Sequence, residues 1–368
     1  MISHGDYKLK DPDSIPTPAM LVFEDIVDQN IRALCDLSGA ANVCPHVKTH
    51  KSIAVTRKQM AAGITVMKCA TLRELEMVLE AGVCDAVLAY PLIQKTKLQR
   101  FAAIVRDNPH AAVHAIVGLV EHVHGLAEVA AQTGQTVNVM LDLDAGFHRT
   151  GVEPGARAME LYRLADADAN LTAAGLHVYD GHDHATDLDE REQQAMAHIG
   201  DVKRLRDEML ATGMPVPRIV GGGSFSFPYY AREEGMLGSP GTSVYWDYGY
   251  ASMMPDMPFR YAAAVLTQVV DLHPKQGTAT TDLGTKAVSA EIPTDKRARF
   301  LGYDDARLVS QSEEHGVFTF PGKCPAVGDY LYAIPGHVCP TTIRYPGSHV
   351  VNPDGDITDF WAHTARDR

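Results

Sequence analysis

Short apolar runs of strand length alternate with longer amphipathic segments through the first two thirds of the chain. The runs are NVCPHVK, TVMKCAT, DAVLAYP, VHAIVG, VNVMLDLDAG, GLHVYDG, RIVGGGS and TSVYWD. Between most of them lie segments of helical periodicity such as LRELEMVLEAG, KTKLQRFAAIVRD, LVEHVHGLAEVAAQTG and EREQQAMAHIGDVKRLRDEMLATG. Eight strands alternating with helices imply a parallel sheet, and at this count a closed (β/α)8 barrel is the economical topology. Upstream, TPAMLVF reads as a strand and is followed by a segment in which Ile26, Ile31, Leu34 and Leu37 recur at helical spacing. Gly39, Gly82, Gly134 and Gly213 fall just past periodic runs, where left-handed helix caps are expected.

After about Asp256 the texture changes. Helical periodicity gives way to β-branched runs and turn residues, as in RYAAAVLTQVVDL, HGVFTF, DYLYAIP and HVVNPDGDI. The pattern divides the chain into a barrel over residues 16–254 and an antiparallel β domain over 255–368, to which residues 1–15 return.

Composition narrows the function. The 368 residues carry 33 Lys plus Arg against 46 Asp plus Glu, a net charge of −13 that disfavours nucleic acid or an anionic membrane as main partner. A small-molecule substrate is expected instead. The six cysteines are scattered, without a CxxC pair, and read as reduced thiols of a cytoplasmic protein. Neither a signal-peptide core nor a membrane-length apolar run is present.

In a barrel of this kind the chemistry gathers at the C-terminal ends of the strands. That places Lys48 after the first strand, His148 and Arg149 after the fifth, Tyr179, Asp180, His182 and His184 after the sixth, and Gly221 to Ser224 after the seventh. A lysine within a strand pattern is either a solvated strand end or a desolvated amine suited to Schiff-base chemistry. The GGGS turn is either a plain loop or a close-approach site for an anion. Arg149 has an ion pair with Asp142 or Asp144 as its simpler reading. His337 and Cys339, two apart in a strand pattern, would face one way and offer an imidazole and a thiol to a divalent metal, with positions left open for water or substrate.

CPHVKTHK (Cys44 to Lys51) resembles the PHxKTHK signature of the metal-activated, alanine-racemase-like pyridoxal 5'-phosphate enzymes, a group that includes D-threonine aldolase, D-serine dehydratase and D-threo-3-hydroxyaspartate dehydratase. Four more stretches match in order: MLDLDAGFHRTGV, GLHVYDGH, GGGS and GHVCPT. The resemblance implies that Lys48 carries the cofactor, that Arg149 lies near its ring oxygen, and that His177 faces the ring with Tyr179 beside it. It further implies that Gly222, Gly223, Ser224 and Thr242 meet the phosphate and that His337 and Cys339 hold zinc, manganese or magnesium. Ser239 stands where several relatives carry an arginine, so the pyridine-nitrogen partner is left unassigned. The implied substrates are β-hydroxy-D-amino acids, cleaved by a homodimer in retro-aldol fashion to glycine and an aldehyde, with His182 as base. The alternative outcome is dehydration to a 2-oxo acid and ammonia, with Lys48 taking the α-proton.

Overall fold

The computed structural model describes residues 1–368, which fall into two compact units. One comprises residues 34–48 and 56–241; the other comprises residues 1–33, 49–55 and 242–367. The expected boundaries of 16 and 254 therefore shift. Residues 16–33 and 242–254 belong with the β-rich unit, because the strand Ala19–Phe23 pairs there and not in the barrel.

The first unit is built on seven parallel strands that follow one another in chain order: Met67–Cys69, Asp85–Leu88, Ala112–Val117, Val137–Asp144, Leu171–Tyr179, Ile219–Gly221 and Met236–Gly238. The extended segment 43–46 closes the ring as an eighth stave. It bridges Gly238 on one side and Lys68 on the other, with the Cys44 N–H donating to Gly238 O (2.9 Å) and the Lys68 N–H to Pro45 O (2.9 Å). The last stave is MLG at 236–238, whereas TSVYWD, read as the eighth strand, forms a 3-10 turn at Thr242–Val244 followed by a short helix at Tyr248–Met253. A three-residue strand is too short to leave a periodic signal, which is why it was missed.

Helices Leu72–Ala81, Lys95–Asp107, Val120–Thr133, Ala156–Asp166 and Leu188–Ala211 connect the staves. The first shows the local logic. Thr71 accepts the Glu74 N–H (3.1 Å), Glu74 turns back to the Ala70 N–H, and Gly82 ends the helix at φ +102°.

Inside the ring, Cys44, Val66, Val87, Ile116, Met140, Ala174 and Val220 form an apolar floor. Alternate residues of a strand face the same way, so the positions two further on stand above it: His46, Lys68 and Asp142. In the strand Leu171–Tyr179 a register irregularity opposite Val139 and Leu141 adds one residue, and this brings His177 level with Asp142. Gly175 makes the irregularity possible. Its φ is +118°, and a Cβ there would fall 1.9 Å from Arg218 O. The barrel thus has an apolar bottom and a polar second layer.

The second unit is a nine-stranded, mostly antiparallel sheet. Strand Ala263–His273 pairs antiparallel with Ala19–Phe23, Thr278–Thr281 and Tyr330–Pro335, while Gly347–Val351 runs parallel to Ala19–Phe23. A small hairpin of Ile2–His4 and Tyr7–Leu9 is tied in by Lys10, whose N–H donates to Gly355 O and whose ammonium pairs with Asp356. No helix is long and apolar enough to cross a membrane, and none of the six cysteines is in a disulfide.

Candidate active site

Lys48 lies in a single 3-10 turn, Val47–Thr49, directly after the closing stave, and not within a strand. His46 sets that turn by accepting the Lys48 N–H on Nδ1 at 3.2 Å, which gives the His-x-Lys spacing a backbone reason. Lys48 is half-buried, so the desolvation argument made for it from sequence applies less to it than to another lysine of the same cavity, Lys68, which is 2% exposed.

The cavity has a volume of about 290 Å³ and is walled by His46, Lys48, Lys68, Tyr90, Arg149, His177 and Tyr179, among others. It brings together four of the expected site residues: Lys48, Arg149, His177 and Tyr179. A larger groove of about 540 Å³ shares Ala70 and Tyr90 with it but carries none of the residues singled out from sequence. Tyr179 is the hub. The Lys48 and Lys68 ammonium groups each lie 5.8 Å from its ring centre, and the Arg149 guanidinium lies 4.9 Å away. Arg149 also covers Phe147 at 4.8 Å. Its simpler reading as an ion-pair partner is not what the chain forms, since Asp142 is taken by His177 and Asp144 by His148.

His177 is buried, with Nδ1 at 2.7 Å from Asp142 Oδ1. The carboxylate accepts the Nδ1 proton, which leaves Nε2 as the bare acceptor, and this nitrogen is buried without a hydrogen-bond partner. Burial lowers the pKa of this histidine against the opposing pull of Asp142, so the ring is neutral. Lys68 is pushed down to about 8, first by burial; Cys44 acts against that and the charge of Lys48 adds to it.

The glycine turn has structural tasks of its own. Gly222 sits at φ +80°, where a Cβ would meet Ser226 Oγ and the Tyr230 ring, each at 2.8 Å. Its N–H donates to Val178 O, and the Gly223 N–H donates to Ser226 Oγ (3.0 Å), whose own proton goes to buried Asp180 (2.7 Å). Two of the N–H groups expected at a phosphate are thus already engaged. Burial raises the Asp180 pKa above the ordinary carboxyl value.

His182 is not in the cavity wall. Its ring stacks on Phe147 at 5.7 Å, its Nε2 is 3.4 Å from Asp183, and Asp183 also holds His198 at 2.7 Å. These three side chains form a cluster of metal-ligand type that was not read from sequence. Ser239, at the position of the missing arginine, donates to Cys44 O (2.7 Å) and so fastens the closing stave.

In the β-rich unit His337 and Cys339 do not share a strand. His337 caps a short helix, Val338–Thr342, that contains Cys339, yet the imidazole and thiol are close enough to interact electrostatically. Glu291 holds His337 Nδ1 at 2.6 Å, which directs Nε2 to other partners. Burial works to lower the His337 pKa, but Cys339, Asp247 and Glu291 together raise it to about 9. Asp247, fully buried and raised to about 6 by that burial, accepts the Val338 N–H (2.9 Å) and fixes the helix start. Thr49 Oγ1 and Thr242 Oγ1 lie 3.1 and 3.9 Å from Cys339 Sγ. Thr242, expected at the phosphate, is therefore a neighbour of the thiol. Imidazole and thiolate fit a divalent metal of zinc type, and an acidic partner behind the histidine is the usual support for such a ligand.

Comparison with known proteins places these features in a family. The alanine racemase N-terminal domain matches residues 24–249, and a serine dehydratase domain matches residues 262–351. A 3-hydroxy-D-aspartate aldolase of Paracoccus denitrificans is 27% identical over 97% of this chain and 93% of its own. A D-threonine aldolase of an Arthrobacter species is 26% identical over 96% and 93%, respectively. Among solved structures, a D-threonine aldolase from Filomicrobium marinum superposes with a TM-score of 0.88 at 27% identity, covering 96% of each chain. The D-threo-3-hydroxyaspartate dehydratase of Delftia sp. HT23 shares the fold at 0.82 and 23%, covering 95% of this chain and 98% of that one. With well over half of its length matched by the first of these domains, the chain belongs to the alanine-racemase-like family of fold-type III pyridoxal phosphate enzymes.

Proposed function

We propose that the protein is a pyridoxal phosphate- and metal-dependent lyase that cleaves β-hydroxy-D-amino acids to glycine and an aldehyde. The observation that carries this reading is the cation-rich cavity of Lys48, Arg149, His177 and Tyr179 in a chain that aligns end to end with two aldolases. Pyridoxal phosphate would be carried by Lys48 and, when bound, supplies an electron sink for the bond broken at the substrate α-carbon. Arg149 would hold the ring oxygen ionised, and neutral His177, fixed by Asp142, would present Nε2 to the ring. The phosphate falls chiefly to Ser224, since the N–H groups of Gly222 and Gly223 serve the turn itself.

His337 Nε2 and Cys339 Sγ would hold the metal, with zinc the best match to an imidazole–thiolate pair; it would supply Lewis acidity toward a hydroxyl. Glu291 keeps His337 oriented for that task. His182 is the proposed base, with Asp183 Oδ1 3.4 Å from its Nε2. A homodimer in the cytoplasm completes the reading, on the analogy of the family and the absence of disulfides.

Cys339 favours a second reading, a dehydratase that yields a 2-oxo acid and ammonia. Solved forms of a D-threo-3-hydroxyaspartate dehydratase include variants of a histidine and of a cysteine two residues apart, the latter metal-free. The deciding experiment is product analysis of the metal-loaded enzyme on D-threonine, D-serine and D-threo-3-hydroxyaspartate. Glycine with aldehyde supports the aldolase; a 2-oxo acid with ammonia replaces it with the dehydratase.

A further inference from the structure

We propose that Lys68 is a substrate-binding residue, the cation that receives a carboxylate of the amino acid and thereby tunes which β-hydroxy-D-amino acids the enzyme takes. This rests on the reading of the cavity as a pyridoxal phosphate site.

The position is unusual for a lysine. Lys68 is the middle residue of a three-residue strand, Met67–Cys69, whose neighbours are all buried. Its backbone is held on both sides, by the Pro45 carbonyl (2.9 Å) and by the register with Val87, and its side chain rises from the inner face directly above Val66 in the apolar floor. The residue is 2% exposed, and its ammonium makes no hydrogen bond and no ion pair. The contact it does make is with the face of Tyr179, at 5.8 Å, within the same cavity wall as Lys48 and Arg149. The two acidic groups near enough to attract it each hold another side chain through one oxygen, Asp142 on His177 (2.7 Å) and Asp180 on Ser226 (2.7 Å), and neither hydrogen-bonds to the ammonium.

A desolvated cation without a counter-ion is costly, and such a group opening on a cavity points to an anion that arrives with the ligand. The lowered pKa is the same cost seen from the proton's side. Within the proposed site the cofactor's ring oxygen has Arg149 and its phosphate has Ser224, so the anion left for Lys68 is the substrate's. Two carboxylates qualify: the one common to every amino acid, and the side-chain carboxylate of a 3-hydroxyaspartate.

The test uses full-length, cofactor- and metal-loaded enzyme with Lys68→Met and Lys68→Arg. Lys68→Met is expected to raise KM by about ten- to a hundredfold, with Lys68→Arg recovering part of the loss and the affinity for pyridoxal phosphate unchanged. An equal rise for D-threonine and D-threo-3-hydroxyaspartate assigns the α-carboxylate; a rise confined to the latter assigns the side-chain carboxylate. Propionate and malonate, titrated against the cofactor's absorption band, give the same comparison without turnover. In the wild type 1/KM should fall as the pH passes about 8, and this step should vanish in Lys68→Met. Unchanged KM values overturn the proposal. So does a displaced absorption maximum with weakened cofactor binding, which would assign Lys68 to the cofactor. Failure of the wild type to form a borohydride-reducible adduct on Lys48 would instead overturn the reading of the site on which the proposal rests.

Discussion

The barrel cavity and the His337 corner are built on opposite electrostatic plans. Around Tyr179 three cationic side chains converge, and the acidic groups close by are already bound to His177 and Ser226. Around Cys339 the order is reversed: an imidazole, a thiol and two carboxyls, Asp247 and Glu291, are joined through hydrogen bonds and charge. In the first arrangement the basic groups outnumber the acidic ones, and in the second the acidic groups outnumber the basic one. On the proposed reading the first suits an anionic ligand and the second a metal cation, which is what a cofactor with a phosphate and a phenolate, and a divalent metal, respectively require.

The largest effect should come from removing the residue that defines the first region. Lys48→Ala is expected to abolish the borohydride-reducible cofactor adduct and to lower turnover by about a thousandfold or more. Mass mapping of the reduced peptide checks it. An adduct that moves to Lys68 would show the two lysines to be interchangeable and the division of roles between them wrong.

In the second region Cys339→Ser should strip the metal, with a loss of activity on the order of a hundredfold that added zinc restores only in part. Glu291→Gln is the finer test. It keeps His337 in place but removes the charge behind it, so metal affinity should fall by about tenfold, read by competition with a chelator. Equal metal content in all three proteins would leave the His337 corner as a purely structural network.

These contrasts were only half legible in the sequence. Lys48, Arg149, Tyr179 and the His337–Cys339 pair could be named because short motifs carry them, and His337 and Cys339 do meet, although through a helix cap and not along a strand. Lys68 was passed over because MKC reads as part of an apolar strand. Yet the signal that drew attention to Lys48, a lysine where a core residue belongs, was stronger there. Glu291 and Asp247 lie 46 and 91 residues from the groups they hold, and no local pattern reaches that far. The eight-stave barrel was legible from alternation; its eighth stave was misplaced because three residues carry no period, and Ala19–Phe23 was misassigned because pairing partners come from the far end of the chain.

A smaller effect separates the structural task of the glycine turn from its proposed service to an anion. Gly222→Ala forces a side chain onto φ +80° and against Ser226 and Tyr230, so it should destabilise the barrel by about 1–3 kcal/mol. Thermal denaturation without cofactor checks this. Undiminished stability with weakened pyridoxal phosphate binding would mean the glycine is there for the phosphate alone.

The smallest effect contrasts the two units through two buried bases. His363, held by Ser348 at 2.9 Å and by the carbonyls of Thr342 and Tyr345 at 3.0 Å, is lowered by burial to about 4 from an ordinary 6.5. Between those values the unfolded chain binds a proton that the folded chain does not, so its stability contribution is complete above pH 6.5 and drains away as the pH falls toward 4. Lys68 acts in a different window. Its pKa of about 8 lies below the ordinary 10.5, so between those values the unfolded chain again holds the extra proton, and stability rises with pH across the window. Melting temperatures of the wild type, His363→Gln and Lys68→Met across both windows should show each variant flattening one slope and leaving the other. Parallel curves for all three proteins would mean that neither base is as desolvated as its surroundings imply, and the case for an unpaired ammonium in the barrel would lose its thermodynamic support.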